Sequence, residues 1–183
     1  MSIDSLPLRR SPWTVGSRAV IGAALYAVLG LFSLIIPGTQ SIAIRPAFAL
    51  VPLFGKRFGV VAGFSAGLAG NVVIDLIQGS GLLWWNWSVA NGLVGAIAAL
   101  IFAAFPQISN EALRHIVTAF GALAAAGLGL LFVFTDVWLQ EGVDSGTALV
   151  NYLVVLLTDG IGIVVLVPAL DIAWDLLSQQ AGS

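Results

Sequence analysis

Apolar residues run almost without interruption through six stretches of this chain, and polar residues fall between the stretches or singly inside them. A hydrocarbon core of about 30 Å takes roughly 20 helical residues to cross. That ruler predicts helices over 18–36, 58–77, 88–105, 113–134 and 148–170. A sixth stretch, 43–54, holds Pro46 and Pro52 within a dozen residues, so it is too short and too interrupted to cross as one straight helix. Helices are the expected spanning form because lipid offers no partner to an unpaired backbone N–H or C=O. The pattern therefore predicts an all-α integral membrane protein, a six-transmembrane-helix bundle over 18–175, with short tails at 1–17 and 176–183.

Charge gives the bundle a direction. Six of the seven Lys and Arg residues fall on one side of this layout: Arg9, Arg10 and Arg18 before the first stretch, Lys56 and Arg57 after the second, and Arg114 before the fifth. Basic residues accumulate in cytoplasmic loops, so the N and C termini are expected in the cytoplasm and the chain in the plasma membrane. The connections on the other side include Thr135 to Thr147, with Asp136, Glu141 and Asp144 and no base. The first seventeen residues, with Pro7, Pro12 and Trp13 and no small-residue cleavage site, read as a cytoplasmic tail rather than a removed leader.

Composition then narrows the function. With 183 residues, 59% hydrophobic and 9% charged, and a mean hydropathy of +1.03, little mass is left outside the membrane for a soluble catalytic or nucleotide-binding domain. No Gly-x-x-x-x-Gly-Lys-Ser/Thr phosphate loop occurs, so energy has to come from a partner or a gradient. The chain has no cysteine and one histidine, His115, and no Ser-His or Asp-Asp pair stands at a catalytic spacing. No enzyme activity, cofactor, metal or nucleic-acid partner is expected.

Polar residues inside apolar stretches are costly and therefore informative. Asn71 and Asp75 lie four apart on one helical face, Asn91 and Asn151 stand near the outer ends of the fourth and sixth stretches, and Asp159 is near the middle of the last. Arg45 enters the second stretch from the outside, with Gln40 in the connection before it. All but Asp159 share the outer half, which suggests one polar pocket open to the outside. Arg45 and Asp75 are placed to form an ion pair between stretches two and three, with or without a ligand role. Each Asn serves equally as interhelical hydrogen-bond glue. Trp84, Trp85 and Trp87 read as an interfacial belt or, for one of them, a stacking face. Asp136 reads as a solvated loop charge, Lys56, Arg57, Arg114 and His115 as headgroup contacts, and Asp171 and Asp175 as facing the cytoplasm. Ala19, Ala23 and Ala27 form a small-residue stripe that lets another helix approach, inside or outside the bundle, while Gly59, Gly63, Gly67 and Gly70 read as tight internal contact.

Between 18 and 99 these residues fall in a recognisable order: Ala23-Ala24-Leu25-Tyr26-Ala27, Ile44-Arg45-Pro46-Ala47, Phe54-Gly55 through Phe58-Gly59 with Gly63 and Gly67, Gly70-Asn71 with Asp75, then Trp85-Asn86-Trp87 with Asn91-Gly92 and Gly95. The order resembles the S component of energy-coupling factor (ECF) transporters, in particular the riboflavin-type group. The resemblance implies capture of a vitamin or related planar heterocycle from outside: riboflavin, a queuosine precursor or the pyrimidine moiety of thiamin. It implies ATP-driven import with an ECF transmembrane coupling subunit and two cytoplasmic ATPases. Ala19, Ala23 and Ala27 would dock that subunit, Gln40 would belong to a lid, Trp84, Asn86 and Trp87 to a pocket loop, and Asn91, Asn151 and Asp159 to its walls. A gradient-driven transporter using Asp75 and Asp159 is the alternative left by the residues alone.

Overall fold

A computed structural model describes residues 12–35, 43–105 and 108–181. Within them every long element is a helix, joined by short turns and connections and one two-residue ladder. Helix α1 spans Pro12–Gly30; β1 (Leu34–Ile35) and β2 (Ala43–Ile44) pair antiparallel, Leu34 opposite Ile44; a 3-10 turn (Pro46–Ala49) leads into α2 (Leu50–Phe58). Then follow α3 (Val60–Ile77), α4 (Trp85–Ala104), α5 (Glu111–Leu130) with a 3-10 turn over Leu131–Thr135, α6 (Asp136–Leu139) and α7 (Ser145–Ala181).

Five helices are long and apolar enough to cross a membrane: α1, α3, α4, α5 with its continuation to Leu139, and α7. The second stretch is helical but does not count among them. Its nine-residue helix rises only about 13 Å at 1.5 Å per residue, with Val51 to Gly55 buried among the longer helices. Two other boundaries shift. Helix α1 begins at Pro12 and stops at Gly30, six residues ahead of the hydropathy window at both ends. Helix α7 runs 37 residues to Ala181, because the apolar window registers only the part of a helix that lipid would touch.

Small side chains set the packing. Helix α4 sits centrally, against α2, α3 and α5, and presents Ala90, Val94, Gly95, Ala98 and Ala99 as its buried face. A Cβ added at Gly63 would lie 2.5 Å from the Gly95 carbonyl oxygen, and one at Gly129 2.5 Å from the Val94 backbone nitrogen. Backbones this close leave room for hydrogen alone, so dispersion along the whole crossing holds helices that share no hydrophobic drive in lipid. Gly63 and Gly67 meet α4 and Gly70 meets α1, the internal contact expected of them; Gly59 instead opens α3 at φ 94°, a left-handed value that favours glycine. Large apolar side chains outside the core, including Val20, Ile21, Phe32, Leu157, Ile161 and Val165, form the lipid-facing surface.

Four of the described bases gather at one end of the bundle. Arg18 lies over the Phe58 ring, 5.1 Å from its centroid. Lys56 donates to Thr118 Oγ1 at 2.7 Å and to the Asp171 carboxylate; Arg57 reaches Asp171 at 2.5 Å and Asp175 at 2.7 Å; Arg114 and Asp175 line one shallow cleft. This corrects two expectations. Lys56 and Arg57 turn inward to α7 rather than out to headgroups, and Asp171 is 2% exposed between them rather than open to solvent. A short helix ending inside the bundle leaves its terminal bases near neighbouring acids, which hydropathy along the chain does not register.

Candidate functional site

At the opposite end, beyond the N-terminus of α2, the helices surround a cavity of about 100 Å³. Arg45, just before the 3-10 turn, donates its backbone N–H to Asp159 Oδ1 at 2.9 Å, so a carboxylate of α7 caps the start of that helical run. The Arg45 guanidinium donates through Nη1 to Asn71 Oδ1 at 2.6 Å, and Asn71 Nδ2 donates to Asp75 Oδ2 at 2.9 Å and Ser88 Oγ at 3.0 Å. The expected direct Arg45–Asp75 ion pair is therefore replaced, among the described residues, by a relay through Asn71. The four-residue spacing of Asn71 and Asp75 puts both on one face of α3, as read from sequence.

The tryptophans divide. Trp85 is 46% exposed on the outer surface, whereas Trp84 and Trp87 line the cavity. Trp87 is held by its indole Nε1–H, which donates to Asp136 Oδ2 at 2.8 Å; Asn86 Nδ2 donates to Asp136 Oδ1 at 2.7 Å and to Thr135 Oγ1 at 2.9 Å. Asp136 is 2% exposed, so it is a buried clamp between α4 and α6 and not the solvated loop charge expected. Asn91 Nδ2 donates to the Trp87 carbonyl at 2.9 Å, which ties the same turn to the wall of α4.

Eight of the ten residues expected at a site line this one cavity: Arg45, Asn71, Asp75, Trp84, Trp87, Asn91, Asn151 and Asp159. Asn86 does not; fully buried, it stands behind Asp136 and orients it. Gln40 lies outside the described residues. Ala19, Ala23 and Ala27 line a separate apolar groove between α1 and α3, with Ala27 buried and Ala19 and Ala23 half-buried.

The family model described as ECF-type riboflavin transporter, S component, matches residues 17–173. This chain belongs to that family. That family is a class of transporter subunit, and five helices of this chain are long and apolar enough to cross a membrane. The chain is similar to a UPF0397 protein of Vibrio atlanticus, 36% identical over 95 residues, which are 52% of this chain and 50% of the relative. The matched region spans about half the length of that curated relative. No solved structure matches this chain.

Sequence reasoning missed Tyr26, Gln78, Ser80 and Asp136 as polar residues lining the cavity. Tyr26 is 0% exposed; its hydroxyl lies beside the Arg45 guanidinium without a sound hydrogen bond to it or to any other described group. A phenol in an apolar helix raises no charge signal, although its polar tip needs a partner when buried. For Asp136 the signal was present, three residues before Leu139 in an apolar run, but the composition of the surrounding connection outweighed it.

Proposed function

We propose that this protein captures a vitamin or related planar nitrogen heterocycle from outside the plasma membrane and passes it inward, with ATP hydrolysis supplied by an ECF transmembrane coupling subunit and two cytoplasmic ATPases. The observation that carries this reading is the convergence of side chains from α1, α3, α4, α6 and α7 on one cavity with two indoles in its wall. Indole faces suit a flat ring, and carboxylates and amides suit its polar edge. Family membership supports the same assignment. The clustering of Arg18, Lys56, Arg57 and Arg114 at the other end favours a cytoplasmic location for that end and for both termini, with the cavity facing out.

The groove between α1 and α3 is the proposed docking face for the coupling subunit, with Ala19, Ala23 and Ala27 along its floor. Its lining is small and apolar, with Ala24, Val28, Ser65, Ala69 and Val73 beside the stripe. Such a surface permits close helix approach. Titration of the purified full chain in nanodiscs with radiolabelled vitamins and modified bases tests the capture reading. Saturable binding is expected, and its absence across riboflavin, deazaguanine, thiamin-precursor and biotin ligands would refute it.

One observation favours a second reading, gradient-driven transport: Asp75 and Asp159 lie in membrane helices without a basic ion-pair partner among the described residues. Uptake by the chain alone in proteoliposomes, abolished by a proton ionophore, would establish that reading. Uptake that requires ATP and partner subunits would remove it.

A further inference from the structure

The chain has two tyrosines, and the fold treats them in opposite ways. Tyr152, half-buried on α7, donates its hydroxyl to the Gly127 carbonyl at 3.0 Å. Tyr26, on α1, is fully buried, yet its hydroxyl has no hydrogen-bond partner among the described residues. A hydroxyl in that position is a cost that phenylalanine would avoid. The ring cannot swing away to find a partner. Phe48 packs beside it, 6.4 Å between ring centroids, and a Cβ added at Gly70 would lie 2.7 Å from Tyr26 Cδ1. Tyr26 instead lines the cavity wall, with its hydroxyl next to the Arg45 guanidinium.

Arg45 adds a second uncommitted donor at that corner. Its Nη1 donates to Asn71, but its Nε is enclosed without a partner. Elsewhere the cavity offers both kinds of group. Gln78, Ser80, Trp84 and Asn151 carry donors, and Asp75 and Asp159 each keep one carboxylate oxygen that accepts from no described residue. Those four donor-bearing residues are exposed or half-buried, so water serves them in the empty protein. The Tyr26 hydroxyl and Arg45 Nε are closed to solvent and lack that supply. Two enclosed donors side by side want one acceptor.

We infer that Tyr26 is a cargo-contacting residue of this pocket: its hydroxyl, with Arg45 Nε beside it, donates to a carbonyl oxygen or an unprotonated ring nitrogen at one edge of the heterocycle. The acceptor reaches them as the Arg45 side chain, a long arm with one hydrogen bond at its tip among the described residues, gives way. The inference rests on the capture reading above and adds an orientation to it. Amino-bearing and carbonyl-bearing rings alike present such an atom, so this corner sets which edge of the cargo turns towards α1 and not the charge of the cargo.

Tyr26→Phe removes the hydroxyl and keeps the ring. Wild type and variant, as full chains in nanodiscs, are titrated with radiolabelled riboflavin, 7-cyano-7-deazaguanine, the hydroxymethylpyrimidine precursor of thiamin and biotin, and are melted without ligand. The ligand that wild type binds most tightly is expected to bind the variant about tenfold or more weakly, which corresponds to about 1.4 kcal/mol. The empty variant is expected to melt at the same temperature or higher. In wild type carrying an isotope label on tyrosine Cζ, saturation with the same ligand is expected to move the Tyr26 signal and leave that of Tyr152 in place, the two being assigned with Tyr152→Phe. Affinity within about threefold of wild type, or an unmoved Tyr26 signal, overturns the inference and leaves the capture reading standing. So does an empty Tyr26→Phe that melts lower or fails to fold, because the hydroxyl then serves the protein itself. A wild type that binds none of the four removes the capture reading and the inference together.

Discussion

Buried polar side chains in this protein act in small closed groups, and each group has one member whose loss strands the others. Asp136 accepts from both Asn86 and Trp87. Asp136→Ala leaves two desolvated donors unpaired, at about 1–3 kcal/mol each, and frees the Trp87 indole in the cavity wall. Lower thermal stability in detergent together with weaker ligand binding is the expected pair of effects. Asp136→Asn keeps one acceptor and should fall between Asp136→Ala and wild type. At the other end Asp171 receives both Lys56 and Arg57. Asp171→Ala leaves Lys56 half-enclosed with Thr118 and the Phe102 ring as its remaining partners, a break expected to cost about 3 kcal/mol. Because this group lies a bundle length from the cavity, stability should drop while ligand affinity in the surviving folded protein stays the same. Affinity falling in step with stability would show that the two ends are coupled.

At the level of the helices, close crossings and caps set what each element tolerates. Gly63→Ala places a methyl against the Gly95 carbonyl at the α3–α4 crossing. Helix α4 cannot retreat without disturbing α2 and α5, so a loss of about 1–3 kcal/mol is expected, read as a lower unfolding midpoint. Asp144 precedes α7 and accepts the Thr147 backbone N–H at 2.7 Å. That N–H, with the Thr147 hydroxyl second, holds the Asp144 carboxyl below the ordinary carboxylate range. A group depressed in the folded state stabilises fully above its unfolded value and loses that effect as pH falls through the folded value. Amides at 145–148 should therefore exchange faster in Asp144→Ala than in wild type at neutral pH, and the difference should vanish in acid. Five helices were legible from hydropathy because each has to match the bilayer. The ends were not: Pro12 to Ser17 continues α1 and 171–181 continues α7 through residues no apolar window counts. The Asp159 contact to the Arg45 N–H and the Lys56–Asp171 group join positions far apart in the chain, and periodicity says nothing about such pairs.

For the molecule as a whole, two surfaces on different sides are proposed to do different jobs, and substitutions should separate them. Ala23→Leu narrows the groove between α1 and α3 but lies away from the cavity lining. ATP-driven uptake in proteoliposomes containing the coupling subunit and ATPases is expected to fall about tenfold or more while ligand affinity holds within about twofold. An equal loss of both would place the groove in binding instead of docking. Much of the cavity could be anticipated because ionisable and amide groups inside lipid are too costly to be scattered without a partner. Asn71, Asp75, Asn91, Asn151 and Asp159 announced themselves in that way. Tyr26 and Asp136 did not, since one looks like packing and the other like a loop until the fold encloses them.

The brevity of α2 has a consequence for this architecture. Cylinders of equal length, bunched together, would fill their own centre; here one cylinder stops partway, and the well above it is the space that Arg45 and Asp159 border. The depth of the receptacle is then fixed by where a single short rod begins. Extending that rod upward by one turn would act as a stopper, so variation in its starting point is a route by which bundles of this kind could be fitted to larger or smaller guests without altering their outer walls.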